Sequence, residues 1–468
     1  MHYYLAIDLG ATSGKHLLAW IEDGKIKQEE IHRFTNRFKQ ESDTLYWDLD
    51  YLYEEILTGM KKCAQIGKIP SFVGLDTWGV DYTLLNHFGE LIGGAISYRD
   101  SRTYGILENV FKAVPEEELY RITGIQRQPF NTIFQIYAHA VNMPYDLQNT
   151  KTLLMLPCYF NYLMTGIAVN EYTVTSTTGL LNAESRNWDF SIIDRLSFNQ
   201  SIFGEIKPPG TMLGEFNQIT AEEVGFSATV VLPAAHDTAS AVLAVPLSEN
   251  AIYLSSGTWS LMGVETDAPV TSELARAKNF TNEGGWGGKY RLLKNIMGLW
   301  MLRSVRNNFN DRYSYDEMSK MAYENNDFPS IVDVSDTRFL APKSMVDEIT
   351  AVCSETGQPI PNTAGEVYAV IYHSLAEYYG KTVQDIEEIT GKHYDAVNIV
   401  GGGTRDNYLN QLTANCCRKK VFVGPTEATA LGNIAAQMLA TGEVGSVHEI
   451  KEIIRNSITL GEYNFEPI

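Results

Sequence analysis

The sequence predicts a two-domain α/β protein whose halves are diverged copies of one unit. At 468 residues the chain exceeds what one ordinary core encloses. Strand-like and helix-like apolar patterns alternate in both halves. The stretch LAIDLGATSGK at 5–15, an apolar run closed by an acid and a Gly/Ser/Thr turn, returns in weaker form as AIYLSSGTWSLMGV at 251–264.

In chain order, Leu5–Ile7 is a first strand, and Leu17–Ile21 a second. Asp23-Gly24 is a two-residue hairpin signal into a third strand ending near Phe34. A glycine turn that leads into a hairpin is not a dinucleotide fingerprint, which leads into a helix. Strand, turn, strand, hairpin, strand instead opens ATPase domains of the actin, hexokinase and Hsp70 type, the ribonuclease H-like unit. Leu49, Leu52, Ile56, Met60 and Cys63 repeat at helical spacing, with Asp48 as cap. Phe72–Leu75 is a buried strand that delivers Asp76, Trp78, Gly79 and Asp81 to its end. A hairpin through Leu84 and Gly89 then leads to Tyr98, Arg99 and Asp100. Residues 115–200 read as mostly helical, and Thr220 with Glu223 reads as a capping box. Val230–Leu232 is a strand that runs into His236, Asp237 and Thr238, where a helix begins. A domain boundary falls near Pro246, giving domains 1–245 and 246–468.

The second half opens its own hairpin at Ala251. Lys289–Lys294 reads as a strand, Ile296–Val305 as a helix, and Glu366–Ile389 as a long helix. Val397–Val400 is a buried strand ended by Gly401, Gly402 and Gly403, with a helix over Asn407–Cys416. Val421–Val423 leads to a last helix through Ala428 and Leu431.

The formal charge of -20, from 57 acids against 37 bases, argues against nucleic acid or an anionic membrane as partner. Cys63, Cys158, Cys353, Cys416 and Cys417 have no metal-binding spacing and read as packed, reduced thiols. With no signal peptide and no apolar run near the ~20 residues of a membrane span, the expected location is cytoplasmic.

Asp8 is an acid in a turn suited to phosphates, which makes sense once Mg²⁺ is added, since the cation neutralises the phosphates. Ala11, Thr12, Ser13 and Gly14 would cradle phosphate, with Lys15 beside them, and Gly257 and Thr258 form the echoing turn. Asp237, at a strand-to-helix junction, is the candidate base for removing a hydroxyl proton; a plain helix-start acid fits the same pattern. Asp76 and Trp78, followed by Arg99, combine the carboxylate and aromatic face that sugars are bound by. Gly401 and Gly402 offer a surface for adenine or ribose.

Taken in order, LAIDLGATSG, DTWGVD, YRDSRT, HDTASA, LSSGTWSLMG, NIMGLW and IVGGG resemble the FGGY carbohydrate kinases over nearly the whole chain. LLMLPCYFNYLMTG and EYTVTSTTGLL look like that family's helical insert. The resemblance implies two ATPase domains with a cleft between them. The first would bind sugar and phosphate and the second the nucleotide, with ATP and Mg²⁺ as cofactors. It also implies a ketose substrate: L-rhamnulose, converted to its 1-phosphate in L-rhamnose catabolism, or else L-fuculose or L-xylulose. By position Asp237 matches the family's base, and Gly79, His236, Thr238 and Asn295 match sugar-site residues. Ala11 to Lys15, Thr258 and a glycine of 401–403 match nucleotide contacts. Lys15 stands where Arg is expected, Arg303 where Gln is expected, and Thr404-Arg405-Asp406 replaces a more neutral run. A non-catalytic nucleotide switch of the actin or Hsp70 type is the rival from another class, and a monomer or homodimer is expected.

Overall fold

The computed structural model describes residues 2–246 and 250–466. The chain forms two compact units that are discontinuous in sequence. One comprises 1–244, 265–292 and 429–457; the other comprises 245–264, 293–428 and 458–468.

In the first unit the apolar run at the N-terminus becomes β1 (Tyr4–Leu9), every residue of which is buried. It pairs antiparallel with β2 (Ser13–Glu22), which turns through Asp23 and Gly24 into β3 (Lys25–Thr35). Both turn residues have positive φ, 52° and 70°, as the Asp-Gly signal requires. Helix α1 (Leu49–Gln65) is capped by Asp48, whose carboxylate accepts the Tyr51 N–H, and it buries Leu49, Leu52, Ile56, Met60 and Cys63. At Gly59 the helix presses on the ring of His16, where an added Cβ would fall 2.3 Å from ring carbon. Burial, and then the nearby His32, lowers the His16 pKa to about 3. The ring is therefore neutral, and its Nε2 donates to the Ile56 carbonyl at 3.1 Å.

The next strands are β4 (Phe72–Thr77), β5 (Met212–Glu215) and β6 (Thr229–Val231), and the sheet order is β5-β6-β4-β1-β2-β3. The central strands β6, β4 and β1 are mutually parallel, so their C-terminal ends lie along one edge. In parallel sheets that edge is where ligands bind. Just beyond β6 comes α2 (Asp237–Leu243).

The stretch 115–200 is less helical than its sequence pattern suggests. Between its helices lies the strand Thr152–Met155, which pairs with Tyr82–Leu85. Thr220 is no cap either: the helix is Gln218–Val224, and the Asn217 side chain accepts the Thr220 N–H at 2.9 Å. Asn217 offers the same acceptor chemistry three residues earlier.

The second unit repeats the opening topology. β7 (Ala251–Ser256) pairs antiparallel with β8 (Trp259–Thr266) and parallel with a later strand, as β1 does with β2 and β4. The strand expected from Lys289 runs on as β9 (Tyr290–Met297), so the helix begins later, as α3 (Trp300–Asn308). Gly298 breaks the two apart because its backbone passes the Ser260 N–H too closely for a side chain; a Cβ there would lie 2.7 Å away. The long helix Ala364–Thr390 carries a full capping box from Thr363 and Glu366. β10 (Ala396–Val400) is fully buried beside β7, followed by α4 (Asn407–Cys417), β11 (Lys420–Val423) and β12 (Gly461–Tyr463). Cys63, Cys158, Cys353 and Cys417 are buried free thiols, and Cys416 is half-buried, with burial pushing it up to about 11. Among the described residues no helix is long and apolar enough to cross a membrane.

Candidate active site

The register of the first sheet brings its acids together. Asp8 on β1 stands opposite Asp76 on β4 and opposite Lys15 on β2. Paired positions on neighbouring strands project to one face. Lys15 Nζ lies 3.0 Å from Asp8 Oδ2. The turn between β1 and β2 is closed by the Gly10 N–H donating to the Ser13 carbonyl, and Asn36 Nδ2 donates to Gly10 O at 2.6 Å. Ala11, Thr12 and Ser13 are half-buried there. Gly14 has no room for a side chain, since a Cβ would meet the Phe34 ring at 2.3 Å.

Asp76 is fully buried. Burial, and then the Asp8 charge beside it, raises its carboxyl well above the ordinary range. Its Oδ2 accepts from Asn433 Nδ2 at 2.5 Å. Asn433 comes from the helix Ala428–Thr441, which packs on this sheet and also sends Gln437 Nε2 to the Leu5 carbonyl at 3.0 Å.

The strand edge continues to Asp237. The Thr77 N–H donates to Ala235 O, and Thr77 bridges to His236 in parallel fashion, so the 235–237 backbone extends the sheet. Asp237 is the first residue of α2, with His236 in the extended cap position. Its side chain is 28% exposed. Burial above all raises its pKa. Oδ1 accepts the Thr238 N–H at 2.6 Å and the Thr238 hydroxyl at 3.0 Å.

Two buried residues hold this backbone in place. Glu171 Oε2 accepts from Ala235 N at 3.2 Å, Val174 N at 3.1 Å and the Thr173 hydroxyl at 2.7 Å, while Thr173 Oγ1 accepts from His236 N at 3.1 Å. Burial pushes Glu171 up to about 7.

The Trp78 segment is arranged differently from its sequence appearance. Trp78 is only 6% exposed and packs on Trp47 with ring centroids 4.1 Å apart. Both indole N–H groups donate to Asp81 Oδ2, at 2.9 Å and 2.6 Å. The acid and the aromatic rings here chiefly satisfy one another and brace the end of β4. Gly79 sits against Thr177, and Arg99 lies over the Tyr98 ring at 5.4 Å.

In the second unit the glycine residues converge. The turn Ser256–Trp259 is closed by Gly257 N donating to Trp259 O. Its Gly257 and Thr258 carbonyls accept from Leu299 and Trp300 at the start of α3, the helix that carries Arg303. Gly401, with φ 87°, and Gly403 abut Ser256: an added Cβ would fall 2.9 Å from its carbonyl and 2.1 Å from its hydroxyl respectively. At Gly402 an added Cβ would clear the same carbonyl, at 4.0 Å. Asn295 is half-buried on β9.

Two family models match this chain, the N-terminal domain of the FGGY family of carbohydrate kinases over residues 3–244 and its C-terminal domain over 252–441. The chain belongs to the FGGY family of carbohydrate kinases. Among its curated FGGY relatives, the rhamnulokinase of Halalkalibacterium halodurans is 46% identical over 463 residues, 99% of each chain. The rhamnulokinase of Bacillus subtilis is 40% identical, covering 98% of this chain and 94% of the relative. The fold matches a ligand-bound xylulose kinase from Lactobacillus acidophilus, with a TM-score of 0.81 at 15% identity over 100% of this chain and 94% of that one. It also matches Plasmodium falciparum glycerol kinase with ADP, with a TM-score of 0.78 at 16% identity over 100% and 95%. Like the rest of the family, the chain is a sugar phosphotransferase of the actin and hexokinase type that uses ATP.

Asp8, Lys15, Asp76, His236 and Asp237, all legible in the sequence, are brought to one sheet edge by the fold. Glu171, Thr173 and Asn433, which carry no sequence signal, come from other parts of the chain to support them.

Proposed function

We propose that this kinase transfers the γ-phosphoryl group of ATP to the primary hydroxyl of L-rhamnulose, giving L-rhamnulose 1-phosphate and ADP. Near full-length identity of 39–46% to relatives named rhamnulokinase supports the sugar. The observation that carries the chemistry is Asp237: a partly exposed carboxylate at the strand edge, with its proton affinity raised by burial.

In this reading Asp237 takes the proton of the C1 hydroxyl as that oxygen attacks the γ-phosphorus. The P–O bond to ADP breaks, and ADP leaves with the electron pair. Thr238 fixes the carboxylate through Oδ1. The 11–14 turn and Lys15 hold phosphate of the nucleotide, and His236, Gly79 and Arg99 flank the sugar. Gly257, Thr258, Gly401 and Gly402 hold the nucleotide, with Arg303 near them. In this reading sugar and phosphate are served by the unit built mainly from residues 1–244, and the nucleotide by the unit built mainly from residues 293–428.

Mg²⁺ fits Asp8, an oxygen donor beside the phosphate turn. Among the described residues no group of three or more His, Cys, Asp or Glu could hold a metal ion, which suits a cation bound mainly by phosphate and water. When bound, the ion neutralises phosphate charge.

A panel of L-rhamnulose, L-fuculose and L-xylulose, assayed for ADP release with ATP and Mg²⁺, tests the reading. L-Rhamnulose should give the highest kcat/KM, and a higher value for either other ketose overturns the substrate assignment.

A further inference from the structure

Behind the proposed base lies Arg291, which is fully buried. Its Nε donates to the Gly284 carbonyl at 2.8 Å, and one terminal nitrogen lies 3.0 Å from Glu283 Oε2 and 3.0 Å from His236 Nδ1. A guanidinium has five N–H donors and no acceptor. The ring nitrogen facing it must therefore present a lone pair, which leaves the imidazole proton on Nε2. That atom lies 3.5 Å from Asp237 Oδ1.

Glu283 pulls the other way. Its Oε2 lies 3.3 Å from the same Nδ1, and a carboxylate alone would draw a proton onto that nitrogen. Glu283 is, however, already paired with Arg291 in a buried setting, both side chains being at most 5% exposed. A doubly protonated ring would set a second cation 3.0 Å from a buried guanidinium. Among the described residues, the charged groups recorded in contact with this ring are Glu283, Arg291 and Asp237.

We propose that Arg291 is a positioning residue for phosphoryl transfer: by donating to His236 Nδ1 it fixes the imidazole with its proton on Nε2, on the Asp237 side. The inference rests on Asp237 being the base. Among the described residues the donors to Asp237, the Thr238 N–H and hydroxyl, meet Oδ1, and the Nε2 proton faces that same oxygen. Oδ2 is then the oxygen that takes the substrate proton. His236 acts as a donor throughout and does not compete as a second base.

The test follows the ring proton directly. In the full-length protein, ¹⁵N NMR of the neutral His236 ring should show a bare Nδ1 and a protonated Nε2. A neutral ring with its proton on Nδ1 overturns the proposal without any variant having to fold. Arg291→Met should move the proton to Nδ1 and lower kcat about ten- to a hundredfold, with KM for ATP unchanged. Adding Glu283→Gln to Arg291→Met supplies an amide donor for Nδ1, so the double variant should regain kcat to within about fivefold of the parent and restore the Nε2 proton. Equal losses in the single and double variants, with the ring proton unmoved, would mean that Arg291 is merely structural. Asp237→Asn is assayed alongside: if it keeps full activity the base reading fails, while the NMR result still judges Arg291 separately.

Discussion

Asn433 donates a hydrogen bond to Asp76 at 2.5 Å although 357 residues separate them in the chain. The carboxylate is fully buried beside Asp8, so this amide is its compensation for lost water. Asn433→Ala leaves it without that donor. The expected cost is about 1–3 kcal/mol in urea unfolding near neutral pH. The loss should grow as pH rises through the raised Asp76 pKa, because the ionised carboxylate needs the amide more than the protonated acid does.

Asp237→Asn keeps the shape of the base but cannot take a proton. kcat on the ketose should fall by about 10²–10⁴, with KM for ATP little changed. Because burial raises the Asp237 pKa, and the unprotonated form is the active one, kcat/KM in the parent should fall with acid on a limb lying above the ordinary aspartate value. A pH–rate profile of the free enzyme reads that limb.

Glu171 makes a prediction about stability. Its pKa rises on folding from 4.5 to about 7, chiefly through burial. A group with a raised folded pKa contributes stability that is fully present below its unfolded value and is lost as pH rises through the folded one. The parent should therefore lose up to roughly 3 kcal/mol from this group between about pH 4.5 and 7. Glu171→Gln removes that dependence. Thermal unfolding of the two proteins should show the variant gaining on the parent as pH rises.

Gly432 lets the backbone of the helix Ala428–Thr441 come close against α2. An added Cβ would lie 1.7 Å from the Ser240 carbonyl oxygen, a backbone atom that cannot swing aside. Gly432→Ala should cost about 3 kcal/mol in urea unfolding and lower kcat as well, since α2 carries Asp237.

The parts of the protein legible in its sequence are those encoded locally. The Asp-Gly hairpin, the Asp48 cap and the duplicated strand and turn each depend on neighbouring residues, and each appears in the structure. The acids at strand ends were legible for the same reason, because a parallel sheet lines up whatever its strands deliver. Misreadings arose where a contact distant in sequence overrode the local pattern. Ile296 and Met297 fit a helical period, yet the strand continues through them until Gly298 passes Ser260. Trp78 beside acids suggested a sugar platform, but Trp47, 31 residues earlier, shares Asp81 with it and turns the group inward. Arg291 and Asn433 had no signal at all, since nothing near them in sequence distinguishes a buried positioning group from an ordinary polar residue.

The return of residues 429–457 to the first unit also bears on synthesis at the ribosome. Chains emerge N-terminus first, and early segments tend to fold as they appear. Here the sheet carrying Asp8 and Asp76, and α2 carrying Asp237, are translated long before Asn433 and Gly432, the residues that cover Asp76 and seat α2. A nascent chain stalled before residue 429 should thus bear an uncovered Asp76 and an unseated α2 and show no kinase activity while still tethered, with activity appearing only once the closing helix clears the exit tunnel.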